Sequence, residues 1–127
     1  MKNNGDLGQE WLKKAESDLA TVELCIDNAI GLDAACFHSQ QAAEKSLKAW
    51  LIAHDISLEK THELKDLIAL CTPIEPRFNK LLTDADALTP YAVKDRYAAD
   101  FWPTVDQART ALEQARRIYD FVKQLWS

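Results

Sequence analysis

Turn-forming residues are scarce in this chain: three Gly and four Pro among 127 residues. Few punctuation points favour few, long helices over a sheet of short strands. Cysteine is just as sparse. Cys25, Cys36 and Cys71 are odd in number and lack C-x-x-C spacing. They read as reduced, buried helix residues of a cytoplasmic protein, not as a disulfide framework. No G-x-G-x-x-G or P-loop is present, so a Gly-rich phosphate cradle is excluded. No G-x-S-x-G and no Cys–His arrangement marks a nucleophile. His38, His54 and His62 form no paired ligand motif, and H-E-x-x-H is missing, so neither a metal site nor a cofactor is expected. No apolar run reaches membrane-spanning length, and the polar start Met1-Lys2-Asn3-Asn4-Gly5 does not resemble a signal peptide. Basic charge is also lacking. A net charge of −5 gives no nonspecific attraction to nucleic acid or anionic membrane and leaves room only for a local basic site.

What is present is ordinary for a globular protein: 47% hydrophobic and 28% charged residues. Residues 1–127 are expected to form one domain with one core. After a frayed start at 1–7, the first helix is predicted over about 7–29. Trp11, Ala15, Leu19, Val22, Ile26 and Ala29 form its apolar stripe, and Gly31 is its stop. Asp18 falls inside that stripe, either reaching solvent at the edge or holding a buried partner. Asp33 is a candidate cap for a second helix over about 33–54, packed antiparallel to the first across a short link. Thr61 is a candidate cap for a third helix over about 62–71, with Leu64, Leu67, Ile68 and Cys71 on one face. Pro73 and Pro76 interrupt the chain before a fourth helix over about 76–88. Residues 89–103 read as the longest irregular segment, rich in aromatic and charged residues, and such loops often carry function. A last helix is predicted over about 104–125, with Ala108, Ala111, Leu112, Ala115, Ile118, Tyr119, Val122 and Trp126 inward. The fold class is therefore all-α, an up-and-down bundle of about five helices.

The second helix organises this reading. His38, Gln41, Glu44, Lys45 and Lys48 fall on one side at about 100° per residue. The rest of its circumference is apolar or small: Cys36, Leu47, Trp50, Leu51 and the alanines at 35, 42, 43 and 49. A polar stripe on a central helix must find partners, because burying charge alone is costly.

Several stretches, taken together, resemble the HEPN family. They are Phe37-His38-Ser39-Gln40-Gln41-Ala42-Ala43-Glu44-Lys45-Ser46-Leu47-Lys48-Ala49, then Thr61-His62-Glu63-Leu64, then Tyr91 followed by Asp95-Arg96-Tyr97. The opening Trp11, Ala15, Asp18 and Leu19 fit the same pattern. The resemblance covers nearly the whole chain, in order. It implies a helical bundle that usually dimerises, and one of three roles: an RNA-cutting toxin, a nucleotide- or RNA-binding module, or the partner of a small nucleotidyltransferase. The family's ribonucleases use an Arg with a His four to six residues further on. Arg96 is the candidate Arg, yet Tyr97-Ala98-Ala99-Asp100-Phe101-Trp102 contains no His. The last His is His62 and the first Arg is Arg77. No Arg in this chain has a His downstream, so the general acid or base of that mechanism is missing.

Two readings of the Arg96 loop follow. In one, Arg96 pairs with Glu44 or Asp18 and holds the loop over the bundle, with Tyr91 and Tyr97 filling gaps. In the other, Lys45, Lys48, Tyr91, Arg96 and Tyr97 line a cleft for a phosphate or a base, supported by Asp18, His38, Gln41, Glu44 and Asp95. The expected function is a non-catalytic HEPN-type interaction module. It would be a homodimer and partner of a nucleotidyltransferase, with nucleotide or RNA as the candidate ligand. The alternatives are an endoribonuclease toxin and a solitary scaffold.

Overall fold

The computed structural model describes residues 2–58, 63–92 and 99–126. Its order is α1 (Asn4–Asn28), α2 (Leu32–Ala53), α3 (Leu64–Cys71), a 3-10 turn (Pro76–Leu81), α4 (Leu82–Leu88), a second 3-10 turn (Thr89–Ala92) and α5 (Val105–Leu125). The all-α expectation holds, with five α-helices and no strand among the described residues. No helix among them is long and apolar enough to cross a membrane.

Several boundaries differ from the sequence expectation, each for a local reason. The start is not frayed. Asn3 Oδ1 accepts from the Asp6 N–H at 2.8 Å while Asp6 Oδ2 accepts from the Asn3 N–H at 3.4 Å. This reciprocal cap satisfies donors that an open helix end would leave unpaired. At the other end of α1 the left-handed residue that closes the helix is Ala29 (φ 52°), two residues before Gly31. Ile30 N–H reaches Cys25 O and Ala29 N–H reaches Ile26 O, the bond pair of a Schellman turn. Gly31 (φ 59°) is instead the residue that enters α2, and Asp33 lies within the first turn of α2. The segment expected as one helix from Pro76 is split, because residues 76–81 wind as a tighter 3-10 turn before α4. Residues 89–92, expected as loop, form another such turn. Thr61 and His62, the expected start of α3, lie outside the described residues.

The most extensive helix pair is α1 with α2. Gly8 lies against Ala49, and Asp18 lies against His38 and Lys45. The residue numbers rise on one helix as they fall on the other, so the pair is antiparallel. Small or slim buried residues recur every seventh position on both helices: Gly8, Ala15 and Val22 on α1, and Ala35, Ala42 and Ala49 on α2. Extending the register from Gly8–Ala49 sets Ala15 opposite Ala42 and Val22 opposite Ala35. Without large side chains along that seam, the two backbones approach closely. A β-carbon on Gly8 would lie 2.7 Å from the Ala49 carbonyl oxygen.

Helix α5 covers the other side of this hairpin and begins with its own reciprocal cap, Thr104 with Gln107. Its buried face is Ala108, Ala111, Ala115, Ile118, Phe121 and Val122. Tyr119, expected inward, is half-buried and donates to Glu16 on α1. Phe78 of the first 3-10 turn closes the base. It meets Trp50 at 4.8 Å and Phe121 at 4.9 Å between ring centroids, both edge to face, the favoured geometry for aromatic pairs.

Candidate functional site

The polar stripe of α2 is partly buried, and among the described residues α1 and α2 itself supply partners to it. Asp18 projects from the edge of α1 and is 7% exposed. Its Oδ1 lies 3.0 Å from His38 Nδ1, and its Oδ2 accepts from Lys45 Nζ at 2.8 Å. Of the two readings open for Asp18, the buried partner is the correct one. The small-residue seam explains the reach, because a short Asp side chain can bridge only closely packed helices. His38 and Lys45 lie two turns apart on α2 and close on the carboxylate from either side. Phe37 sits edge-on to the His38 ring at 5.5 Å.

One turn away, Glu44 is 5% exposed. Its Oε1 accepts from Gln40 Nε2 at 3.2 Å and its Oε2 from Lys48 Nζ at 3.0 Å. Gln40 Oε1 accepts in turn from Gln41 Nε2 at 2.7 Å. The stripe is thus a bonded chain, Gln41–Gln40–Glu44–Lys48, running beside the Asp18 cluster. Gln40, fully buried, was not singled out from the sequence. Its signal was the spacing Gln40–Glu44–Lys48, which places three polar groups along one helical ridge.

The candidate ligand residues do not all converge. Lys45 and Lys48 share the stripe, but Lys45 is committed to Asp18 and Lys48 to Glu44. Tyr91 is far along α2 from them. It lies beside Cys36, near the start of the helix, and packs 5.7 Å from Phe101. It also lines a separate cleft with Ala87, Gln107 and Thr110. Arg96, Tyr97 and Asp95 lie outside the described residues, so the expected Arg96–Glu44 pairing falls there as well. No group of three or more His, Cys, Asp or Glu among the described residues is arranged to hold a metal ion.

Trp11 departs most from expectation. Placed in the apolar stripe by its spacing, it is 36% exposed. With Glu10, Lys14 and Lys45 it lines a cleft of about 440 Å³ on the outer side of the α1–α2 seam. Trp11, Lys14 and Asp18 lie along one edge of α1, a spacing that could have pointed to this cleft.

Comparison with known proteins agrees with the bundle. ST0689, an archaeal HEPN homologue, is 26% identical and has a TM-score of 0.74, with 100% of this chain and 100% of that chain covered. TT1696 from Thermus thermophilus is 29% identical with a TM-score of 0.78, covering 92% of this chain and 96% of its own. No curated protein gives a significant match. The HEPN domain model matches residues 9–125. With its helix order, its α2 motif and a match over nearly its full length, the chain belongs to the HEPN domain family.

Proposed function

We propose that this protein is a non-catalytic HEPN interaction module, a homodimer that serves as partner to a small nucleotidyltransferase and takes a nucleotide at its polar face. The observation that carries this reading is chemical: every Arg of the chain lies after its last His. The Arg-then-His pair of the family's ribonucleases cannot be assembled from this sequence, and proton transfer would need another group. The described polar side chains of α2 support it further. Their charges are held in bonded pairs, an arrangement suited to shaping a surface. Trp102, 80% exposed beside α5, supports the dimer, since exposed aromatics are frequent interface anchors.

The test is co-expression with a nucleotidyltransferase encoded beside this chain. Co-purification as a stable complex is expected, as is a dimer mass for the isolated protein by light scattering at micromolar concentration. Failure to bind that partner, or monomer mass throughout, would remove the corresponding part of the reading. Overexpression is expected to leave growth and bulk RNA intact. RNA cleavage lost on Arg96→Ala would establish the ribonuclease alternative instead.

A further inference from the structure

We infer that the outward face of α1 is a docking surface for a second copy of this chain, the two α1 helices packing antiparallel about Ala20 with Lys13 of each copy against Asp27 of the other. This rests on the reading above that the protein is a homodimer, and it names the surface that pairs.

Three observations lead here. The first is the make-up of that face. A solvent-facing helix surface normally carries charged and polar side chains. From 17 to 24 this one carries Ser17, Ala20, Thr21 and Leu24, all exposed. Leu24 is 65% exposed. Thr21 Oγ1 donates to the Ser17 carbonyl at 3.0 Å, and Asn28 Nδ2 donates to the Leu24 carbonyl at 2.8 Å. These polar side chains are tied to their own helix and leave the ridge low. Glu16 and Glu23 flank it, but they turn to α5, where Tyr119 and Arg116 hold them. Another helix can therefore approach as closely as its own side chains allow.

The second is charge. Lys13 and Asp27 close the two ends of the ridge, both exposed. Among the described residues neither forms an ion pair. Asp27 also lies in the last turn of α1, which holds no basic residue. The helix dipole disfavours a carboxylate there, so the stability of α1 does not account for it. The third is symmetry. Lys13 and Asp27 lie seven residues before and after Ala20, and seven residues return a helix to nearly the same face. In a two-fold contact, whatever one copy presents to the other is presented back. An antiparallel pair centred on Ala20 therefore sets Lys13 against Asp27 twice. A uniformly basic partner would meet Lys13 with like charge, and a uniformly acidic one would meet Asp27 so. A second copy turned end for end satisfies both and covers Leu24.

The experiment is sedimentation equilibrium on the full-length protein and on variants at these exposed positions, which the fold tolerates. The parent is expected to be dimeric at micromolar concentration. Ala20→Arg, at the centre of the contact, should give monomer. Lys13→Asp and Asp27→Lys each bring like charges together twice and should weaken the dimer about tenfold or more. The double exchange, Lys13→Asp with Asp27→Lys, returns opposite charges to both ends and should recover most of the parent affinity. A double exchange no tighter than either single change would overturn the antiparallel pairing. An Ala20→Arg protein that stays dimeric would overturn this surface while keeping the homodimer. If Trp102→Ala breaks the dimer and Ala20→Arg does not, the contact lies at Trp102 and the inference fails. A parent that is monomeric throughout would overturn both the inference and the homodimer reading, and would leave the nucleotidyltransferase partnership to its own test.

Discussion

Replacing Gly8 by alanine adds one methyl group at the tightest point of the fold. That methyl would lie 2.7 Å from the Ala49 carbonyl oxygen and 2.8 and 2.9 Å from two ring carbons of Trp126. The two neighbours differ in how they can respond. Trp126 is half-buried just past the end of α5 and can swing aside. The Ala49 carbonyl belongs to the backbone of α2, so relief there requires α1 to move away. Such a shift loosens the contacts of Ala15 and Val22 along the same seam. Forced overpacking of this kind costs about 1–3 kcal/mol. Better helix propensity returns at most about 1 kcal/mol. The expected net loss is about 1–2 kcal/mol, or a fall in Tm of about 4–8 °C for a small domain. Thermal melts followed by circular dichroism measure it. Gly5→Ala is the control: its methyl would approach only the Asn3 side-chain oxygen, at 3.3 Å. That change gains helix propensity without a backbone clash, so it should range from neutral to about 1 kcal/mol stabilising. Adding Trp126→Ala to Gly8→Ala should not restore stability, because the carbonyl clash remains. A Gly8→Ala protein at least as stable as the parent would refute the close-packed seam.

Ala29 occupies a left-handed position that glycine fills without strain, so Ala29→Gly should raise stability by about 0.5–1 kcal/mol, read as an increase in Tm. Asp18→Ala removes the shared acceptor of His38 and Lys45 and should cost about 1–3 kcal/mol; an unchanged urea midpoint would mean the cluster contributes nothing to folding. Burial pushes the Cys71 thiol from 9.0 up to about 12 and the Cys36 thiol up to about 11, the latter moderated by the Tyr91 side chain beside it. The native state holds these protons more tightly than the unfolded chain. The resulting stability is therefore fully present below pH 9.0 and is lost as the pH rises through about 11 and then about 12. Maleimide at neutral pH should label the half-buried Cys25 first and reach Cys36 and Cys71 only on denaturation; equal labelling of all three in the native state would contradict this packing.

The long helices were legible in the sequence because their periodicity persists over many turns. In α1, α2 and α5 the apolar positions recur often enough to mark both the helix and its inward face. The short elements were not. Nothing in the apolar pattern of residues 76–88 separates a 3-10 turn from an α-helix, since both bury Phe78 and Leu81. Trp11 was misplaced because periodicity treats tryptophan as plainly apolar, whereas here it is exposed as a wall of a cleft. The mixed charges on α2 indicated that the stripe finds partners, and Glu44, 5% exposed, accepts from Lys48. The actual partner of Lys45 was not legible. Asp18 meets it across a helix pair whose register depends on the small residues of both helices, a property of the pair that neither stripe displays alone.

That same seam bears on how the chain folds. Helices α1 and α2 are joined by a three-residue link, Ala29–Gly31, so their contacts form between segments close in sequence and need little loop closure. The N-terminal hairpin can therefore assemble before residues 105–125 are available to cover it, and early during synthesis. Until then the hairpin's flank toward α5, including Leu12 and Leu19, stays open to solvent. Mutations at Ala15 or Ala42 should therefore slow folding itself, while mutations at Ile118 or Val122 should chiefly speed unfolding.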